Sequence, residues 1–138
     1  MTARMQRITA EVALAAAAYS ATRKVRFDDR TGSWVALYDF RLPSGYNRSR
    51  TDILLELPDT YPLTPPDWFF LDPGLRRLDG RRLVHYFEHA PGHLPIGRGW
   101  AAGSLHILTW RPGATPGAGN GLPTVCRLIE DAFRRWLR

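Results

Sequence analysis

The sequence predicts an α+β fold, and three observations lead to it. An alanine-rich amphipathic stretch opens the chain and a second amphipathic stretch closes it. Between them lie short, alternating, aromatic-rich runs separated by turn residues, the pattern of an antiparallel sheet. The third observation is the segment from Asp52 to Pro73, where two strand-like runs are joined by Tyr61-Pro62-Leu63-Thr64-Pro65-Pro66. Proline fixes φ and offers no amide donor, and it pushes the residue before it towards extended geometry. This link is therefore a stiff bridge, neither helix nor central strand. With 138 residues the chain reads as one domain over residues 1–138, long enough to bury a sizeable core.

Residues 3 to 20 predict a helix. Met5, Ile8, Val12, Ala15 or Ala16, and Tyr19 recur at three- and four-residue steps, and alanine supplies the propensity. Arg23 to Asp28 alternates, with Val25 and Phe27 on one face, and Asp28 to Gly32 supplies a turn. Trp34 to Leu42 follows, setting Trp34, Ala36, Tyr38 and Phe40 against Val35, Leu37 and Asp39. After a turn around Pro43-Ser44-Gly45 come Asp52 to Leu57, a compact aliphatic run, and Trp68 to Leu71, a short aromatic one. Together these predict a four-stranded antiparallel meander. Beyond Pro73, glycine and proline punctuate the chain so densely that only short strands or single turns are expected, near Arg82 to Phe87 and Ser104 to Thr109. Ordering such a region costs roughly 1–2 kcal/mol of backbone entropy per residue, so function is sought there. Pro112 to Gly121 is a second loop, poor in apolar residues. Leu122 to Leu137 predicts the closing helix, with Pro123 in its first turn and a stripe of Val125, Leu128, Ile129, Ala132, Phe133 and Trp136.

A hydrophobic content of 44% and a charged content of 23% are those of an ordinary soluble protein. No apolar run approaches the roughly 20 residues of a membrane span, and Ala13 to Ala18 is too weakly hydrophobic for a signal-peptide core. The single cysteine excludes an internal disulfide framework and fits a reducing cytoplasm. Net charge is +6, from 19 Lys and Arg against 13 Asp and Glu. The arginines are spread along the chain, with short clusters at Arg76-Arg77, Arg81-Arg82 and Arg134-Arg135. A nucleic-acid binder more often gathers them on one element, so a basic face for an acidic protein partner fits better.

Four motifs follow one another in order: Leu42-Pro43-Ser44-Gly45-Tyr46-Asn47, Thr51-Asp52-Ile53-Leu54-Leu55, the Tyr-Pro link with Pro65-Pro66-Asp67-Trp68-Phe69, and Trp110-Arg111-Pro112-Gly113. On these the chain, from about residue 25 to 137, resembles the ubiquitin-conjugating enzyme (UBC-like) superfamily, in its bacterial branch known as prokaryotic family E. The resemblance implies a UBC-like α+β fold with the N-terminal helix beside the sheet. It implies as partners a ThiF-type activating enzyme and a ubiquitin-like modifier, whose C-terminus the protein would carry or position. It implies no cofactor.

Ordinary chemistry of that superfamily needs a thiolate, which is nucleophilic near neutral pH and leaves readily when an amine attacks. Cys126 lies on the apolar stripe of the closing helix, where a free cysteine is a small buried hydrophobe. The position of the usual Cys-Leu-Asp falls instead on Ser104-Leu105-His106, and the upstream His-Pro-Asn is missing, the only asparagines being Asn47 and Asn120. By resemblance, family E tends to carry Ser-x-His ahead of Trp-Arg-Pro-Gly, which makes His106 and Ser104 the candidate catalytic residues. His106 would act as general base and Ser104 as the hydroxyl nucleophile of an oxyester. On an extended strand, residues i and i+2 sit roughly 6–7 Å apart, beyond hydrogen-bond reach, so the pair requires a turn or a third residue. The alternative is a histidine bonded to backbone beside a structural Trp110. His85, His89 and His93, with Glu88, would suit zinc on one helical face, but Pro91 and Gly92 break any such helix, leaving loop histidines and no assigned metal. Trp110 to Gly113 reads as a cap on the sheet, with Arg111 free to pair with a carboxylate. The competing function is a non-catalytic adaptor of the same fold, binding the activating enzyme or the modifier without a covalent intermediate.

Overall fold

The computed structural model describes residues 1–18, 24–90 and 98–138. Helix α1 (Ala3–Ala18) leads into strands β1 (Lys24–Phe27), β2 (Trp34–Arg41), β3 (Arg50–Glu56) and β4 (Trp68–Leu71). Strands β5 (Tyr86–Phe87) and β6 (Ala101–Ser104) precede the closing helix α2 (Leu122–Arg135). Tyr19, Ser20 and Arg23, at the edges of the expected first helix and strand, lie outside the described residues. All strand pairs are antiparallel, in the order β1-β2-β3-β4-β6-β5.

The meander is present, but among the described residues the sheet has six strands rather than four. The additional central strand is Ala101-Ala102-Gly103-Ser104, too small and too weakly apolar to announce itself in the sequence. It is also displaced from the expected Ser104 to Thr109, because the chain leaves the sheet after Ser104. Glycine is required at position 103, since a Cβ there would lie 2.6 Å from the Phe69 ring and 2.7 Å from Trp136. Small residues let β6 pass beneath large aromatics, which then supply the burial.

A second correction concerns β2. Its pairing with β3 shifts register between Leu37 and Phe40, where Asp39 adopts a φ of 56°. The bulge is held by the Asp52 carboxylate, which accepts the Asp39 N–H at 3.1 Å. One extra residue reverses the alternation. Phe40 therefore joins Val35 and Leu37 in the main core, away from the face of Ala36 and Tyr38.

One face of the sheet, with Val35, Leu37, Ile53, Leu55, Phe69, Leu71 and Ala101, packs against the buried stripes of both helices. On α1 these are Met5, Ile8, Val12 and Ala15; on α2 they are Leu122, Val125, Cys126, Ile129, Ala132 and Phe133. The opposite face carries a smaller cluster of Ala36, Leu54, Phe70, Ala102 and Trp100.

Glu11 is fully buried among these apolar groups. Its carboxylate accepts the Leu122 N–H at 2.8 Å, the Arg7 Nε–H at 2.7 Å and the Tyr61 hydroxyl. It thus caps the N-terminus of α2 from another helix, where the helix dipole favours an anion, while Gly121 offers no side chain to do so. A Cβ on Gly121 would meet Glu11 Oε1 at 2.6 Å, so glycine makes room for the carboxylate. Burial and then the Glu11 bond push the Tyr61 hydroxyl well above the usual phenol range. Trp110 tilts against Tyr61, and its indole N–H donates to the Pro62 carbonyl at 2.8 Å, fastening the Tyr-Pro link whose Tyr61–Pro62 peptide is cis. Trp110 is half-buried rather than buried, as its indole serves the link. The other end of α2 is held by the buried Arg77, whose guanidinium donates to the carbonyls of Trp136 at 2.9 Å and Leu137 at 3.0 Å, while pairing with Asp79. No helix among the described residues is long and apolar enough to cross a membrane.

Candidate active site at the end of the sheet

Ser104 is the last residue of β6, opposite Trp68 of β4. Its N–H donates to the His85 carbonyl at 3.2 Å, which ties the segment before β5 to the strand end. Leu105 is buried, and its N–H donates to the Asp67 carbonyl at 3.1 Å. The chain is thus pinned by Leu105 and turns out of the sheet at His106.

His106 has a φ of 50° and His85 a φ of 60°. Left-handed backbone is disfavoured for residues bearing a Cβ, and such conformations gather at functional sites. Asp39, the third case, is accounted for by its bulge; the two histidines have no bulge. They meet each other, with ring centroids 5.2 Å apart and planes at 80°. Val84, His85, Ser104, His106, Arg135 and Trp136 together line an open concavity of about 210 Å³. Trp136 forms its floor and stacks on Phe69 in the core, with centroids 5.7 Å apart.

Ser104 and His106 therefore share one concavity, because β6 ends at Ser104 and His106 takes left-handed backbone rather than continuing an extended strand. His85 and Arg135, which no sequence pattern groups with them, complete it. The only trace of His85 in the sequence is its four-residue spacing from His89, and that spacing has no helical meaning, because β5 lies between the two. His89 borders a different and larger depression of about 570 Å³, with Arg81, Arg82 and Tyr86. Glu88 is occupied elsewhere: it accepts the Gly74 N–H at 2.8 Å, the Tyr86 hydroxyl at 2.5 Å and an Arg76 N–H at 3.2 Å. Burial, followed by the Glu88 bond, pushes the Tyr86 hydroxyl up to about 12. His93 lies outside the described residues. Among the described residues no three His, Cys, Asp or Glu side chains converge as a metal would require.

Cys126 is 1% exposed, on the core side of α2, and does not line the concavity. Burial, reinforced by Glu130, pushes its thiol up to about 12. A thiolate is thus disfavoured where the cysteine sits. Arg111 has its backbone N–H bonded to the Asn120 side chain at 2.7 Å, and its side chain forms no ion pair among the described residues.

The model of one protein family, prokaryotic E2 family E, matches residues 16–135. No curated protein and no solved structure matches the chain. The match spans most of the chain, and the protein belongs to the prokaryotic E2 family E.

Proposed function

We propose that this E2-like protein receives the C-terminus of a ubiquitin-like modifier from a ThiF-type activating enzyme and holds it at the strand-end concavity, using Ser104 and His106 in place of a thiol. The reading takes residues 1–138 as a single cytoplasmic domain. The observation that carries it is a contrast. The only cysteine is sealed in the core, whereas a hydroxyl and an imidazole share an open pocket at the end of β6.

In this chemistry the Ser104 Oγ attacks the carbonyl carbon of the modifier's thioester on the activating enzyme. His106 takes the hydroxyl proton, the C–S bond breaks, and the activating enzyme's thiolate leaves. The product is an oxyester on Ser104. His106 releases that proton to solvent. A target amine then attacks the ester carbonyl and gives its surplus proton to the His106 imidazole, the C–O bond breaks, and His106 passes this proton to the Ser104 oxygen.

A second reading has its own observation: among the described residues no hydrogen bond joins Ser104 to the His106 ring. A non-catalytic adaptor, positioning modifier or activating enzyme without a covalent bond, needs none. The deciding experiment mixes the protein with its cognate activating enzyme, modifier and ATP and measures intact mass, for the native chain and for Ser104→Ala, His106→Ala and Cys126→Ala. An adduct that resists thiols and disappears with Ser104→Ala supports the oxyester. An adduct lost only with Cys126→Ala overturns it. A stable complex with no adduct in any variant establishes the adaptor.

A further inference from the structure

Three arginines surround the C-terminal end of α2, and they are not equivalent. Arg77 neutralises the exposed end of the helix, donating to the carbonyls of Trp136 and Leu137 and pairing with Asp79. Arg134 faces its own helix, 3.8 Å from Glu130 and 3.6 Å from Asp131. Arg135 plays neither role, since among the described residues it forms no ion pair and no side-chain hydrogen bond. The helix end it would otherwise cap is already occupied by Arg77.

Arg135 instead borders the concavity with His85, His106 and Ser104. That lining contains no carboxylate. It offers a guanidinium, two imidazoles and a hydroxyl, all able to donate hydrogen bonds. Its apolar walls are Val84 and Trp136. A lining whose one charged group is a guanidinium, with no carboxylate among the described residues that form it, is complementary to an anion. The volume of about 210 Å³ is below the roughly 300–1,000 Å³ of sites for drug-sized ligands, so the concavity itself suits a small charged group.

We propose that Arg135, with His85 beside it, is the anion-binding group of this concavity, and that its ligand is the oxyanion formed at the C-terminal carbonyl of a polypeptide chain, for which the free terminal carboxylate of a short peptide is a stable probe. This deepens the preceding reading, on which it rests for the identity of the chain end. It also gives a role to the charge: a guanidinium placed for a carboxylate oxygen is equally placed for the oxyanion that forms when Ser104 attacks a carbonyl. Planar guanidinium binds a carboxylate through two parallel bonds, which a lysine cannot reproduce.

The test separates this proposal from the acyl-transfer reading. Isotopically labelled protein is titrated with acetyl-Gly-Gly, with its C-terminal amide and with inorganic phosphate, while NMR follows the Ser104 amide, the His85 and His106 rings and the Trp136 indole. The carboxylate should give saturable shifts at these four residues, and the amide should give none. Arg135→Gln should weaken carboxylate binding by about tenfold or more, as expected for losing a charge-assisted bond. Arg135→Lys should recover only part of the loss, and Arg134→Gln, one residue away, should bind as the native chain does. Equal responses to carboxylate and amide, an unaffected Arg135→Gln, or phosphate displacing the carboxylate at lower concentration would each overturn the assignment. The binding test needs no activating enzyme. Carboxylate binding without any covalent adduct would leave this inference standing and remove the oxyester. An adduct whose yield is indifferent to Arg135→Gln, with no carboxylate binding, would do the reverse.

Discussion

Two polar clusters sit at opposite ends of α2, and they are built on opposite rules. Around Glu11, a buried carboxylate has its oxygens taken by Leu122, Arg7 and Tyr61, and Arg7 reaches on to the Gly113 carbonyl at 2.6 Å. Around Ser104, polar side chains face an open concavity, two residues hold left-handed backbone, and Arg135 lacks an acidic partner among the described residues. The first cluster leaves a single buried group, Arg7 Nη2, without a partner among the described residues, and it joins α1, the Tyr-Pro link and α2 into one body. The second is incomplete by itself. Polar groups that are buried must be satisfied internally, whereas those kept at a surface opening are available to a ligand.

Substitutions should divide along the same line. Glu11→Ala leaves Arg7 charged and the α2 N-terminus uncapped, and breaking a buried pair typically costs about 3–5 kcal/mol. Urea titration should show a loss of that order; a loss below about 1 kcal/mol would mean the hub is not what joins the helices. Gly103→Val drives a side chain into Phe69 and Trp136, and overpacking of this kind costs about 1–3 kcal/mol. Because Trp136 also floors the concavity, the same variant should perturb the His85 and His106 ring signals in NMR. His106→Gly should go the other way. It relieves a left-handed residue worth roughly 1 kcal/mol, so the melting midpoint should hold or rise slightly while carboxylate binding falls. A clear drop in stability would reveal a structural role for the ring.

The smallest effect concerns the β1–β2 turn. Hydroxyl bonds from Ser33 and Thr31 hold the Asp28 carboxyl well below the usual carboxylate range. A depressed folded-state value means that the stabilisation is complete above the unfolded-state pKa, about 3.9, and declines as pH falls below it. Thermal melts of the native chain and Asp28→Asn should therefore differ more at pH 7 than at pH 3. A gap that widens in acid would contradict the assignment.

The sequence disclosed those elements whose signal is carried by their own residues. Helix α2 follows its apolar stripe, β4 begins and ends at the expected Trp68 and Leu71, and the Ser-x-His motif lies where the chain leaves the sheet. What stayed hidden depends on neighbours. Strand β6 is invisible because Ala101, Ala102 and Gly103 carry almost no pattern, their burial being imposed by Phe69, Phe70 and Trp136. The bulge at Asp39 depends on a carboxylate in β3. Glu11 reads in sequence as an interruption of an alanine run, yet it is the capping group of a helix 111 positions away. The meeting of His85 with His106 is likewise a property of the β5–β6 pairing, which nothing local announces.

Because α2 is fastened at both ends by residues remote from it, its folding is not its own affair. A helix of this length is marginal alone in water, and its caps come from Glu11 and Arg77, at sequence separations of 111 and 59. Those contacts close long loops, so the stability of α2 is tied to the docking of the first helix and of the segment around Arg77. Arg135 and Trp136 ride on that helix. The concavity therefore depends on contacts made far from it in the chain, and loosening either fastening of α2 would disturb it.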